Sequence, residues 1–185
     1  PWLLPPLQTR LYKALDRADK VEPQARGTAA TARLAPAMLG ADGPRRYLFL
    51  FTNPAESRGT TGLPGNWNEV TIDGGRISVT ATGRTNDLIE PLRELDNVKL
   101  DMPQEFFDRY GPYQAGSAEG GTGPKFWSNI TMSPNMPTVG ESAVQLYKLS
   151  TGRSIDGVFV VDPAGVAGLL QVTGPVEVEG LDFAL

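Results

Sequence analysis

A cluster of polar side chains and glycines follows the first apolar segment of the chain. Residues Tyr47–Gly65 read YLFLFTNPAESRGTTGLPG, so the apolar run leads into Glu56, Arg58, Thr60 and Thr61. This order is typical of a buried strand whose end presents polar groups and free backbone N–H donors in a crevice. An arginine beside such donors suits an anionic ligand. The segment therefore predicts a binding loop for an anion.

The composition limits the chemistry that such a loop can perform. The 185 residues include no histidine and no cysteine, and the net charge is −4. Mechanisms that use an imidazole base, a thiolate nucleophile or a zinc site of the usual ligands are therefore excluded. Phosphoryl transfer stays open because it relies on positioning and on charge stabilisation by Arg, Lys and oxygen-bound metals. The scattered basic residues argue against a nucleic-acid partner.

The elements that must position the loop follow from the spacing of apolar residues. Residues 6–21 and 28–39 have the pattern of amphipathic helices. We expect Pro36 to kink the second helix or end it early, and Gly40 to close it. The first core strand is then predicted over Arg46–Thr52.

Strand and helix patterns alternate in the rest of the chain. Two strands, 67–72 and 76–82, flank the Asp-Gly-Gly turn at 73–75. Residues 83–134 are rich in Gly, Pro, Asn and Asp and predict a long, ordered, functional excursion with only short helices, such as 104–110. The elements expected after it are a helix over 137–150, a strand over 157–161, a helix capped by Asp162 that ends near 170, and a strand over 176–180. This order predicts a mixed α/β (α+β) fold, with a central mixed sheet covered by helices.

We expect two parts in the chain. Residues 1–43 form an N-terminal helical segment that packs on a mixed-sheet core domain, residues 44–185. No apolar run reaches the roughly 20 residues of a membrane helix, and the start lacks the pattern of a signal sequence. Because the chain begins without Met and ends just after a predicted strand, we expect a piece of a longer protein, with any membrane anchor outside it.

Three blocks of the sequence carry a resemblance to a bacterial family. They contain NPAESR followed by Thr-Gly, SIDGVFVVDP, and TGPVEV. Over residues 36 to about 180 the chain closely resembles the family called domain of unknown function four-zero-one-two. The resemblance implies a membrane-anchored cell-envelope protein of Gram-positive bacteria with high-GC genomes, often associated with exopolysaccharide production. It implies a location on the extracytoplasmic face of the cell membrane.

More distantly, the order of these blocks is similar to the LytR-CpsA-Psr family, whose members transfer glycans from polyprenyl pyrophosphate carriers onto peptidoglycan. The similarity implies phosphotransferase chemistry in cell wall biogenesis. Its partners would be a polyprenyl-linked glycan, or another phosphorylated glycolipid, and a cell-wall polymer as acceptor. It implies that Arg58 and Arg84 hold the pyrophosphate with Mg²⁺, while Glu56 or Asp87 positions the metal or activates the acceptor hydroxyl.

Each candidate residue also has a structural alternative. Instead of binding a ligand, Arg58 and Glu56 could pair with each other. Arg46 either lines an anionic crevice or flanks the sheet edge. Thr60 and Thr61 are suited to bond a phosphate, yet threonine is ordinary in loops. The candidate ligand-binding residues are Arg46, Arg58, Thr60, Thr61, Gly62 and Arg84.

Two departures from the LytR-CpsA-Psr pattern keep a second function open. That family usually has a second Arg followed by Ser-Asp after the first loop, where this chain has residues 63–66, Leu-Pro-Gly-Asn. Thr85 also replaces the acid that follows the second conserved Arg position, here Arg84. The alternative is a non-catalytic envelope module that binds a glycan or a protein and has lost transferase chemistry.

Overall fold

A computed structural model describes residues 12–13, 27–95, 98, 100–114 and 126–177. The chain divides into two compact units, one of Pro1–Pro44 with Ile72–Arg76 and one of Arg45–Thr71 with Ile77–Leu185. Within the described residues, no helix combines the length and the apolar character needed to cross a membrane.

The first unit contains a helix, α1, over residues 27–38. Pro36 does not end this helix early, because a proline in the last turn removes only its own N–H bond and Leu39 N still donates to Ala35 O at 2.8 Å. The alternative expectation, a kink at Pro36, stays a prediction. Gly40 follows with a φ of 79°, the left-handed conformation of a helix end. Its carbonyl accepts a hydrogen bond from Gly74 N at 3.1 Å.

The N-terminal helix predicted over residues 6–21 falls almost entirely outside the described residues. Tyr12 and Lys13 are described, and both are helical.

The second unit is built on a four-stranded sheet in the order β3-β2-β1-β4. Its strands are β1 (Arg45–Ser57), β2 (Gly62–Asp73), β3 (Arg76–Arg84) and β4 (Gly157–Val161). β1 and β4 are parallel, with Tyr47 opposite Gly157 and Phe51 opposite Val161. The short connections make β1, β2 and β3 successive antiparallel neighbours. The mixed sheet predicted from the sequence is therefore confirmed.

The sequence predicted the β2–β3 hairpin well and the β1–β2 hairpin only in part. Gly74 and Gly75 have φ values of 53° and 82°, so they form the two-residue turn with positive φ that the Asp-Gly-Gly sequence indicates. β1, however, extends to Ser57, five residues beyond the predicted end at Thr52. Because pairing with a neighbouring strand uses only backbone groups, the polar residues after Thr52 remain in the strand. The predicted loop is thus reduced to the connection 58–61.

Helices cover the sheet and fill the predicted excursion. They are α2 (Thr85–Arg93), α3 (Gln104–Gln114), α4 (Phe126–Asn129), a 3-10 turn (Ile130–Met132), α5 (Met136–Thr151) and α6 (Pro163–Thr173). α5 begins with Asn135, whose side chain accepts from Thr138 N, and ends at Gly152 with a φ of 72°. The predicted cap of α6 is confirmed, since the Asp162 carboxylate accepts from Gly165 N at 2.7 Å.

Two expectations about this region differ from the structure. The excursion contains α2, which the sequence pattern missed because the helix starts directly at the end of β3 and contains Pro91. The expected last strand begins at residue 176, where Val176 and Glu177 lie outside any strand, and the rest of it lies outside the described residues.

The core lies between one face of the sheet and helices α2, α4 and α5. Leu48 and Leu50 of β1 are fully buried there, as is Leu146 of α5. Trp127 is fully buried as well, and its Nε1 donates to Ser150 Oγ at 3.1 Å. Its role is therefore packing.

Leu146→Ala should lower the free energy of unfolding by about 2–5 kcal/mol, because it leaves a cavity in the core. Leu149→Ala is the matched control, since the two leucines belong to the same helix and are 0% and 40% exposed. The control should change stability by less than about 0.5 kcal/mol. Urea denaturation followed by circular dichroism measures both values. Equal losses for the two variants would show that α5 does not present this face to the core.

Candidate functional site

The β1–β2 connection, residues 58–61, is packed against the 3-10 turn and the residues that follow it. Thr60 N donates to Thr131 O at 3.0 Å, and the Thr60 hydroxyl donates to Ser133 O. The Thr131 hydroxyl in turn donates to Gly62 O at 2.7 Å. A Cβ added to Gly59 would collide with the Met132 carbonyl. These contacts hold the connection in one place and occupy the Thr60 hydroxyl.

Arg58 lies half-buried in this connection. Its backbone N–H donates to Thr61 O at 3.4 Å, and its Nη1 donates to Ser57 O at 3.0 Å. Arg58 Nε and Thr61 Oγ1 are buried, and within the described part of the chain neither has a hydrogen-bond partner. Glu56 is exposed near the end of β1, and the described residues show no ion pair between it and Arg58. Among the described residues, the hydrogen bond shown for the guanidinium is the one from Nη1, so Arg58 keeps donors for a ligand.

Arg84 and Asp87 lie at the start of α2. The Asp87 carboxylate accepts a hydrogen bond from Arg84 N at 2.7 Å, so it caps the helix. Arg84 O accepts from Trp67 Nε1 at 3.0 Å, while the Arg84 side chain is exposed. Arg84 is the last residue of β3, which runs in the same direction as β1 on the other side of β2, and Arg58 follows the last residue of β1.

Arg46 belongs to a different group of residues, which we call the Glu69 cluster. The Glu69 side chain is 1% exposed, and its Oε1 lies 3.4 Å from Arg46 Nε and 3.2 Å from Arg153 Nη1. The Thr80 hydroxyl donates to Oε1 at 2.8 Å, and the Tyr147 hydroxyl donates to Oε2 at 2.7 Å. Arg46 is the second residue of β1 and Arg58 follows its last residue, so the strand separates the two arginines.

The Glu69 cluster was missed in the sequence because only one of its members stood out there. One indication was available: Glu69 and Trp67 are two apart in a strand, so a carboxylate shares the face of a core tryptophan and needs partners. Burial raises the pKa of the Tyr147 hydroxyl well above its usual range, and the hydrogen bond to Glu69 raises it further. Tyr147 therefore stays protonated and acts as a donor, not as a base.

A cavity of about 330 Å³ lies between α3 and the start of α5. α3 contributes Glu105, Phe106, Arg109 and Tyr110, which face residues 133–135 and the first turns of α5. Ser133, whose carbonyl accepts from Thr60, lines the cavity. The β1–β2 connection therefore supports one wall of what we call the α3–α5 cavity.

The predicted site residues are thus divided among three places. Glu56, Arg58 and residues 60–62 lie at the β1–β2 connection, Arg84 and Asp87 at the start of α2, and Arg46 in the Glu69 cluster. Across the part of the chain that the structure describes, no three acidic residues are grouped so that they could hold a metal ion. The Mg²⁺ site implied for Glu56 or Asp87 stays a prediction.

The fold and this arrangement define a mixed α/β domain in which the connection that contains Arg58 is joined, through Thr60, to the wall of the α3–α5 cavity. The chain belongs to the family described as Protein of unknown function (DUF4012), whose model matches residues 42–183. This match confirms the family identified from the NPAESR and SIDGVFVVDP blocks. No curated protein and no solved structure matches the chain.

Tyr147→Phe should lower the free energy of unfolding by about 1–3 kcal/mol, because it removes the hydroxyl that donates to Oε2 of buried Glu69. The control is Tyr12→Phe, since Tyr12 is 66% exposed, and this variant should match the wild type. Urea titrations give both values. Wild-type stability in Tyr147→Phe would contradict the assigned bond.

A second prediction concerns Asp156, which joins the starts of β1 and β4. Its carboxylate accepts from Arg46 N at 2.8 Å and pairs with Arg45 Nη1 at 2.9 Å. Burial alone raises the pKa of Asp156, but these bonds outweigh it and hold the pKa below its ordinary value. The carboxylate therefore stabilises the fold at neutral pH, and this contribution is lost as pH falls through the lowered pKa.

Asp156→Asn should be less stable than the wild type at pH 7 by up to about 1 kcal/mol, since the pair is partly exposed. The difference should narrow between about pH 5 and pH 2. Asp101→Asn, at an exposed position, is the control and should show no such narrowing. Denaturant titrations across this range test the prediction, which fails if the Asp156→Asn difference is the same at every pH.

Proposed function

We propose that this domain is a non-catalytic cell-envelope module that binds a polyprenyl-phosphate-linked glycan on the extracytoplasmic face of the membrane. The observation that carries the proposal is the position of Arg58: its half-buried guanidinium lies in a connection that supports the wall of the α3–α5 cavity. Membership of the DUF4012 family is consistent with the envelope setting that the sequence resemblance implies.

We favour binding over transfer because several of the candidate polar groups are used within the fold. Phosphoryl transfer needs a base or metal carboxylate beside the phosphate. Of the two candidate carboxylates, Asp87 caps α2, while Glu56 is exposed near the end of β1. Of the candidate ligand-binding groups, Arg46 contacts buried Glu69 and the Thr60 hydroxyl bonds Ser133.

Arg58, half-buried in the β1–β2 connection, is the arginine assigned to the pyrophosphate. Arg84, exposed at the last residue of β3, is a second candidate. Arginine forms paired hydrogen bonds to phosphate oxygens. Mg²⁺ would act mainly through the phosphate oxygens of the ligand, because such sites usually use only one or two protein carboxylates. A module of this kind, in a membrane-anchored protein, would hold the lipid-linked glycan near a cell-wall polymer.

Arg58→Ala should weaken the binding of a short-chain polyprenyl pyrophosphate at least about tenfold, because a hydrogen-bonded charge pair is lost. Calorimetry with and without Mg²⁺ measures the affinity. Arg93→Ala is the control, since Arg93 is exposed and pairs with Glu90 on α2, and it should bind as the wild type does.

Three results would overturn this proposal. A folded wild-type domain that does not bind the pyrophosphate lipid would remove its basis, as would equal affinity in Arg58→Ala. Turnover of a lipid-linked glycan that depends on Glu56 or Asp87 would establish the phosphotransferase instead.

A further inference from the structure

The α3–α5 cavity combines aromatic surface with polar groups. Phe106 is buried and Tyr110 half-buried, and their ring centroids are 5.5 Å apart with the rings tilted by 59°. A volume of about 330 Å³ lies at the lower end of small-molecule sites. Aromatic rings in such a site pack against the apolar faces of a ligand that also carries polar groups.

The charges on the lining argue against an anion in the cavity. The carboxylate of Glu105 pairs with Arg109 Nη2 at 2.7 Å, so this cation is neutralised. Glu141 also lines the cavity, and among the described residues its carboxylate has no cationic partner. A phosphate or a uronic acid would therefore meet net negative charge. The phosphate of a ligand belongs at Arg58, outside this cavity.

The polar groups of the lining include both a donor and an acceptor of hydrogen bonds for the hydroxyl groups of a ligand. The Asn135 Oδ1 atom accepts from Thr138 N and Thr138 Oγ1, which leaves the two N–H groups of the Asn135 amide as donors to a ligand. The Glu141 carboxylate is exposed and only accepts. A sugar hydroxyl both donates and accepts, so neighbouring hydroxyls are able to use both residues.

We infer that the α3–α5 cavity is a saccharide site that takes a short, uncharged oligosaccharide, of about two sugar rings at most within the cavity. This inference rests on the proposed function, because it assigns the cavity to the glycan of the lipid-linked ligand. The Thr60 bond to Ser133 joins the Arg58 connection to the cavity wall. The phosphate and the first sugars of one ligand would thus lie on neighbouring surfaces.

In the test, the intact domain is titrated with free oligosaccharides, and calorimetry measures the binding. The probes are cellotriose, maltotriose and triacetylchitotriose, which are uncharged, and trigalacturonate, which is anionic. We expect at least one uncharged probe to bind and trigalacturonate not to. Glu141→Gln should weaken the uncharged probe several-fold and allow trigalacturonate to bind, a gain that a purely structural role of Glu141 would not produce.

Further variants separate this site from the phosphate site. Tyr110→Ala should abolish oligosaccharide binding, with Tyr12→Ala as the exposed control. Because Tyr110 also packs against the core, Glu141→Gln, at an exposed position, keeps the test valid if Tyr110→Ala fails to fold. Arg58→Ala should bind the free oligosaccharide as the wild type does.

The outcomes distinguish the two proposals. Binding of polyprenyl pyrophosphate without binding of any of the oligosaccharides would overturn the saccharide site alone. Binding of an oligosaccharide without the pyrophosphate lipid would overturn the lipid-linked ligand and leave the saccharide site standing. Equal affinity for trigalacturonate and the uncharged probes would overturn the charge argument on which the site depends.

Discussion

The buried carboxylate of Glu69 is the interaction on which the arrangement of this domain depends. A charge removed from water is costly unless it is paired and hydrogen-bonded. Glu69 meets this requirement only when Arg46 of β1, Thr80 of β3 and Tyr147 of α5 all lie where the structure has them, with Arg153 just after α5. One buried carboxylate therefore fixes three strands and a helix relative to one another.

The position of α5 connects this cluster to the cavity. Tyr147 lies in the last turns of the helix, and the first turns, which begin after the Asn135 cap, line the α3–α5 cavity. Because a helix of 16 residues is about 24 Å long and stiff, holding its end at Glu69 also holds its start. Strand β1 likewise separates the Glu69 cluster, which stabilises the fold, from the proposed phosphate site. The cluster lies near the beginning of the strand and Arg58 lies beyond its end.

Local signals account for the parts of the fold that the sequence predicted well. The Gly74–Gly75 turn, the Asp162 cap and the apolar run of β4 each depend on a few adjacent residues. Arg58 became a candidate for the same reason, and its role stays a prediction. Glu69 was missed because Tyr147 lies 78 residues away along the chain.

Tertiary packing explains the other differences. The α3–α5 cavity arises where α3 meets the start of α5, and neither helix pattern contains that information. The extension of β1 depends on backbone pairing, which side-chain patterns do not record.

The central claim is that the Arg58 connection and the α3–α5 cavity bind the lipid-linked glycan, while the Glu69 cluster serves only stability. The most direct measurement is two-dimensional NMR of the labelled domain during titration with a short-chain polyprenyl pyrophosphate that carries a disaccharide. The largest changes in amide chemical shift should fall on residues 58–62 and on the cavity residues of α3 and α5, with little change around Glu69 and Arg153. Shifts centred on the Glu69 cluster, or none at saturating ligand, would contradict it.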